Sequence, residues 1–239
     1  MHTDLLALSA SARLRRKIEL ALPAYGAPLA HLLERPDIKE LFPRCLVVSY
    51  HTSRSMVPLM EAALGHALEL APGDPVAAGL AAYLARHIPE ERHHPEHGGA
   101  VLDDLTALGL DPDEVRALPG TPQIDPLVAA ELAWFRNDHP VAILGYLELE
   151  AHVADRRTVE LLIERTGYPR AAFGQLLLHS RLDPVHAREL HRVLDALPLE
   201  EWHERLIGLS ALRAITLITS AFVDAIVDGG VAASMTAAV

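Results

Sequence analysis

The chain has 239 residues, half of them apolar and 22% charged, a balance that builds a sizeable core and excludes a disordered segment. A net charge of −11 with histidine neutral argues against a nucleic-acid binder, which needs a basic stripe. A single cysteine, Cys45, excludes an intramolecular disulfide framework and a thiolate metal site. Apolar residues recur at helical spacing nearly throughout, without alternating β-branched runs. Helices are therefore predicted at about residues 11–22, 24–34, 36–48, 51–71, 75–110 with an interruption, 123–137, 140–154, 156–167, 170–181, 184–196 and 199–228. Pro72-Gly73, Pro119-Gly120, Gly167 and Pro198 punctuate them, and the stretch "LGLDPDEVRALPGTPQ" is read as the longest loop.

No repeat and no linker-length loop appears, so one all-α domain over residues 1–239 is expected. Within it, residues 1–45 are expected to form N-terminal helices and 46–228 the core of the bundle. The opening "MHTDLLALSASARLRRKIEL" is unlike a signal peptide. The most apolar run, "LSALRAITLITSAFVDAIV", is interrupted by Arg213 and Asp224 and reads as a buried closing helix, not a membrane span. A cytoplasmic protein with no membrane and no nucleic-acid partner is the expectation.

The fourteen histidines stand beside five tyrosines and four phenylalanines, and they cluster at residues 87–97 and 179–191. In "HSRLDPVHARELH", His179, Asp183 and His186 follow H-x3-D-x2-H, a spacing that turns three side chains of metal-ligand type to one helix face. Pro184 disfavours helical backbone at Asp183, so either a kink or a new helix capped by Asp183 is expected there. His191 falls outside this spacing and reads as a surface or supporting residue. In "HIPEERHHPEHGGAVLDDL", Glu90 and His97 are seven apart, and Glu91 and His94 form a Glu-x-x-His pair of the kind used in diiron bundles. Spacing does not choose between the two pairs. Pro95 and Gly98-Gly99 should kink or unwind this helix.

A third helix, "ILGYLELEAHVADRR", carries Glu148 and Glu150 among apolar residues, where a carboxylate is costly unless paired or metal-bound. One Glu/His pair, one middle Glu and the His/Asp/His set supply three carboxylates and three imidazoles. That donor set, without thiolate, suits iron or manganese, and two metals can share six such ligands.

These elements, taken in order over about residues 45–225, resemble the haem-oxygenase-like diiron oxidases and oxygenases. The resemblance implies a haem-oxygenase-like helical bundle of seven or more helices, with Glu90, His97, Glu150, His179, Asp183 and His186 as metal ligands. Glu91, His94 and Glu148 are the alternates. It implies two Fe(II) ions, with manganese as the other metal, and O2 as co-substrate, activated through a peroxo-diiron intermediate. Such an oxidoreductase would oxidise a small molecule in a biosynthetic pathway, foremost an amino acid or amine by N-oxygenation, desaturation or C–C cleavage. The alternatives are fatty-acid decarboxylation and a non-redox thiaminase or cofactorless relative, for which Cys45 is the single thiol. An external electron donor and a homodimer suit the family. Arg54 and Arg181 are candidates to bind a substrate carboxylate, with His51, Ser55 and Met56 as further pocket residues.

Overall fold

The computed structural model describes residues 8–93, 99–152 and 154–227; of Glu150 the backbone alone is described. Among these residues there are eleven α-helices and no strand, so the all-α expectation holds. In chain order they are α1 (Ala10–Ile18), α2 (Leu22–Glu34), α3 (Ile38–Leu70), α4 (Pro75–His93), α5 (Gly99–Ala107), α6 (Pro112–Arg116), α7 (Ile124–Asn137), α8 (Ile143–Leu147), α9 (Arg156–Thr166), α10 (Gly174–Ala196) and α11 (Glu201–Val227). Turns of 3-10 helix at Pro140–Ala142 and Glu148–His152 bracket α8, and one at Arg170–Phe173 leads into α10.

Two predicted breaks are absent. The helices expected at 36–48 and 51–71 are one 33-residue helix, α3, which runs without a break across residues 45 and 46 and contains Pro43 and Pro58. Likewise α10 passes through Pro184, so Asp183 lies inside a helix and does not cap a new one. A proline in a helix removes one hydrogen bond. Here the buried face of α10 continues on both sides of it, through Gln175, Asp183, His186, Leu190 and Leu194, and packing outweighs the lost rung. The expected loop at 108–123 contains α6, whose first turn is capped by Asp111. The helix expected at 140–154 is tightened to 3-10 geometry at both ends.

The apolar side chains gather into two cores. One unites α1, α4, α7, α8 and most of α11 with the C-terminal parts of α3 and α10. The other joins α2, the N-terminal half of α3, α5, α6 and α9, with Phe173 stacked on Phe42 at a ring separation of 4.7 Å. α3 and α11 contribute to both. By length and composition α11 could cross a membrane, yet half of its most apolar stretch is buried inside the bundle.

Two local features fix the helices that carry the site. At Gly145 in α8, an added Cβ would lie 2.0 Å from the Ile207 carbonyl oxygen and 2.8 Å from the Ala211 nitrogen. Only glycine allows α8 to lie this close to α11. The start of α10 has no cap of its own. Buried Asp104 of α5 accepts the Gly174 and Gln175 N–H groups at 2.8 and 3.1 Å, satisfying donors that a helix N-terminus otherwise leaves open.

Candidate metal centre

α10 places His179, Asp183 and His186 four and three residues apart along one side, as the spacing predicts. His179 donates from Nδ1 to Asp183 Oδ1 at 2.8 Å. That bond puts the imidazole proton on Nδ1 and leaves the Nε2 lone pair to bind a metal, the arrangement in which a carboxylate orients a ligating histidine. Burial works against the charged form of His179, yet the hydrogen bond and charge of Asp183, with Glu91 behind, hold its pKa above the usual histidine value. Asp183 Oδ2 and His186 Nδ1 are buried and have no hydrogen-bond partner.

α4 faces this side of α10. Glu91 is almost fully buried, its side chain 2% exposed, and its Oε1 lies 3.2 Å from His186 Nδ1. Glu90 is 56% exposed and its Oε2 lies 3.9 Å from His87 Nδ1. His94 and His97 lie outside the described residues, so the partner histidine of either Glu has no place in this description.

On the third element, Glu148 is fully buried. Both its oxygens lie 3.0 Å from His191 Nε2, and His152 Nε2 is 3.8 Å from Oε1. The tight 3-10 turn at Glu148–His152 presents the carboxylate to α10. His191, read from the sequence as a surface or supporting residue, orients a buried carboxylate. The Glu150 side chain lies outside the described residues.

A cavity of about 260 Å³ opens at this centre, with Glu91, His152 and His179 in its wall. It lies along the seam of the two cores, between Tyr146, Leu149 and Ile218 of one and Leu32, Phe42 and Leu162 of the other. From α3 it takes Cys45, Ser49, Thr52 and Met56, which recur at the 4, 3 and 4 spacing of one helix face. Of the five pocket residues predicted, Met56 is in the wall and the others are not. His51, Arg54 and Ser55 belong to other faces of the same helix. His51 is buried, and its pKa is pushed down to about 4 by burial and by Arg54. Arg54 lies over the Tyr50 ring and the Ser55 hydroxyl donates to the Thr52 carbonyl. Arg181 is on the exposed side of α10. Among the described residues no lysine or arginine lines the cavity.

A second His/Asp group, Asp74, His139 and His203, has donor atoms within 4.8 Å of one another. Its protonation differs. Val141 N–H donates to His139 Nδ1 and Glu200 N–H to His203 Nδ1, each at 3.0 Å. Both neutral rings therefore carry their proton on Nε2, the atom that would have to bind a metal. Asp74 accepts the Val76 and Ala77 N–H groups at the start of α4. This group joins helix starts and suits no metal.

The fold and the first group together define a helical bundle that gathers carboxylate and imidazole donors at one end of an apolar cavity. The model of the iron-containing redox enzymes matches residues 48–218, and the chain belongs to that family. A domain of unknown function with a heme oxygenase-like fold from Shewanella denitrificans OS217 superposes with a TM-score of 0.76 at 16% identity, covering 93% of this chain and 94% of that one. A TenA homolog from Pseudomonas syringae pv. tomato DC3000 superposes with a TM-score of 0.68 at 12% identity, covering 94% and 96%. Both likenesses show the heme oxygenase-like fold. No curated protein matches the sequence. The donor set fits iron: buried Asp183 Oδ2 and His186 Nδ1, neither of them hydrogen-bonded, are oxygen and nitrogen donors of the kind iron accepts, with no thiolate to favour zinc.

Proposed function

We propose that the chain is a non-haem diiron oxidase or oxygenase that uses O2 to oxidise a small amine with a hydrocarbon body. The observation that carries the proposal is the position of Glu91 and His179, which belong at once to the buried donor group and to the cavity wall. Iron held there would be reached by whatever the cavity binds. The residues that would hold it are Glu91, His179, Asp183 and His186, with Glu148 from the third element and Glu90 and Glu150 as alternates; manganese is the other metal that this set suits. Bound Fe(II) would supply the O2 activation and the electrons.

The chain's own residues have three tasks. Asp183 fixes the His179 tautomer, and His191 orients Glu148. The leucines, Phe42 and Ile218 line the cavity and exclude water from it. Away from the donor group, the Ser49, Thr52, Ser53 and Gln175 side chains are polar positions in a mainly apolar wall and orient a bound molecule. Among the described residues no arginine or lysine lines the cavity, so its wall suits an amine with an apolar body better than an amino-acid zwitterion, whose carboxylate would find no side-chain cation there.

The same apolar walls favour a second reading, a fatty acid whose carboxylate meets the metals directly. Thiaminase-type chemistry is disfavoured. Cys45 does line the cavity, but burial pushes its thiol up to about 12, whereas a nucleophilic cysteine needs a lowered pKa. The test is anaerobic Fe(II) titration of the apo-protein, then stopped-flow mixing with O2 in the presence of alkylamines, amino acids or fatty acids. Two irons per chain and a visible transient accelerated by alkylamines support the proposal. Acceleration by fatty acids alone selects the second reading, and absence of iron binding overturns both.

A further inference from the structure

His87, a residue that the ligand spacing leaves out, stands in the middle of the donor group. Its side chain is 1% exposed, stacked on the Tyr83 ring at 5.1 Å and set edge-on to the His186 ring at 4.9 Å. Neither ring nitrogen makes a hydrogen bond. Nε2 lies 3.6 Å from Glu91 Oε1 and Nδ1 lies 3.9 Å from Glu90 Oε2, beyond the reach of a proper bond. A neutral imidazole brings one donor and one acceptor, and burying both unmet is unfavourable. The chain's other buried histidines show two ways of handling this. His139 and His203 each accept a backbone N–H. His51 also makes no hydrogen bond, but among the described residues no other metal-donor atoms converge on it.

At His87 other donors do converge. One donor atom each from His87, Glu90 and His186 lie within 4.8 Å of one another. Glu91 Oε1 is flanked by His186 Nδ1 at 3.2 Å and His87 Nε2 at 3.6 Å. Residues three and four apart share a helix face, so His87, Glu90 and Glu91 form one unit, turned towards His186 on α10. Two imidazoles and a carboxylate around one point form a donor set for a divalent first-row metal.

We propose that His87 is itself a metal ligand of this centre, binding iron through a ring nitrogen from the α4 side. The inference rests on the iron reading above. It makes α4 a two-residue anchor, His87 with Glu91 one turn later, and it accounts for the pair of unmet ring nitrogens in the core. The opposing view is a core histidine kept for its packing against Tyr83, in which case an apolar residue would serve as well.

His87→Gln and His87→Leu separate the two. Full-length apo-protein of each variant and of the wild type is titrated anaerobically with Fe(II) and Mn(II). The Co(II)-substituted forms are compared by ligand-field absorption, and the apo-proteins by thermal denaturation. Expected are a 10- to 100-fold loss of affinity for one metal equivalent, roughly the scale set by removing groups that support a site, and an altered Co(II) spectrum. The apo melting temperature of His87→Leu stays equal or rises. Wild-type Co(II) spectra and affinities in both variants overturn the inference and leave the iron reading standing. A wild-type protein that binds no metal overturns both. Should His87→Leu fail to fold, the His87→Gln titration decides alone.

Discussion

Replacing Gly145 by alanine tests the packing that holds the third ligand element in place. In an open helix this substitution stabilises by up to about 1 kcal/mol, because alanine loses less backbone entropy on folding. At Gly145 the new Cβ would stand 2.0 Å from the Ile207 carbonyl oxygen, where ordinary contact begins at 3.4 Å. The opposing atoms are backbone of α11 and cannot rotate away, so α8 must retreat by more than an ångström. Overpacking of this kind costs about 1–3 kcal/mol, and a rigid backbone obstacle argues for the upper end. The net expectation is destabilisation by about 2 kcal/mol, or a melting temperature lower by about 4–8 °C for a chain of this size. Gly65 is the internal control: it is exposed in the interior of α3, and an added Cβ meets nothing within 4 Å. Gly65→Ala should stabilise by about 0.5–1 kcal/mol. Urea denaturation of the two apo variants beside the wild type measures both. The pair should move in opposite directions, and a Gly145→Ala protein as stable as Gly65→Ala would refute the close approach of α8 and α11. Because Glu148 follows α8 directly, Gly145→Ala should also weaken Fe(II) binding.

Glu91→Gln should cut bound iron below two equivalents by removing the charge between His87 and His186, read by colorimetric iron assay after desalting under anaerobic conditions. Glu131 is fully buried and bonded to Ser210 at 2.8 Å, and burial raises its pKa from 4.5 to about 7. The folded protein therefore holds a proton that the unfolded chain releases, and this contribution is present below pH 4.5 and is lost as pH rises through 7. Glu131→Gln should gain stability relative to wild type between pH 5 and pH 8, by up to about 3 kcal/mol; a difference independent of pH in paired urea titrations would contradict it. Asp104→Ala strips the cap from α10 and should cost about 1–2 kcal/mol by thermal or urea unfolding. A loss confined to metal affinity, with unchanged stability, would disprove that role.

The α10 donors were legible because their signal is a period: residues four and three apart share a face whatever surrounds them. Pro184 suggested a break there, and the helix prediction placed another between residues 48 and 51 of α3. In both cases a continuous buried face holds one helix together, and tertiary packing is not written in the local sequence. The choice between Glu90 and Glu91 was not legible for a related reason. Adjacent residues point about 100° apart, and only the position of His186 on another helix turns Glu91 inward. His51, Ser55 and Met56 were grouped with Arg54 because they are near it along the chain, whereas the cavity takes one face of α3, from Phe42 through Cys45, Ser49 and Thr52 to Met56. His87 was hidden by its neighbours, since a cluster of histidines and acids between residues 87 and 97 offers several spacings and ranks none.

The seam between the two cores bears on how such a protein changes over time. Each core closes on its own side of the cavity, so side chains such as Leu32, Met56 and Ile218 face open volume along part of their surface. Enlarging or trimming one of them alters the shape offered to a guest molecule while disturbing less close-packed structure than a change in the middle of either core. On the iron reading proposed above, the apolar part of the wall is then adjustable apart from the donors on α4 and α10, and drift along the seam revises what the cavity admits.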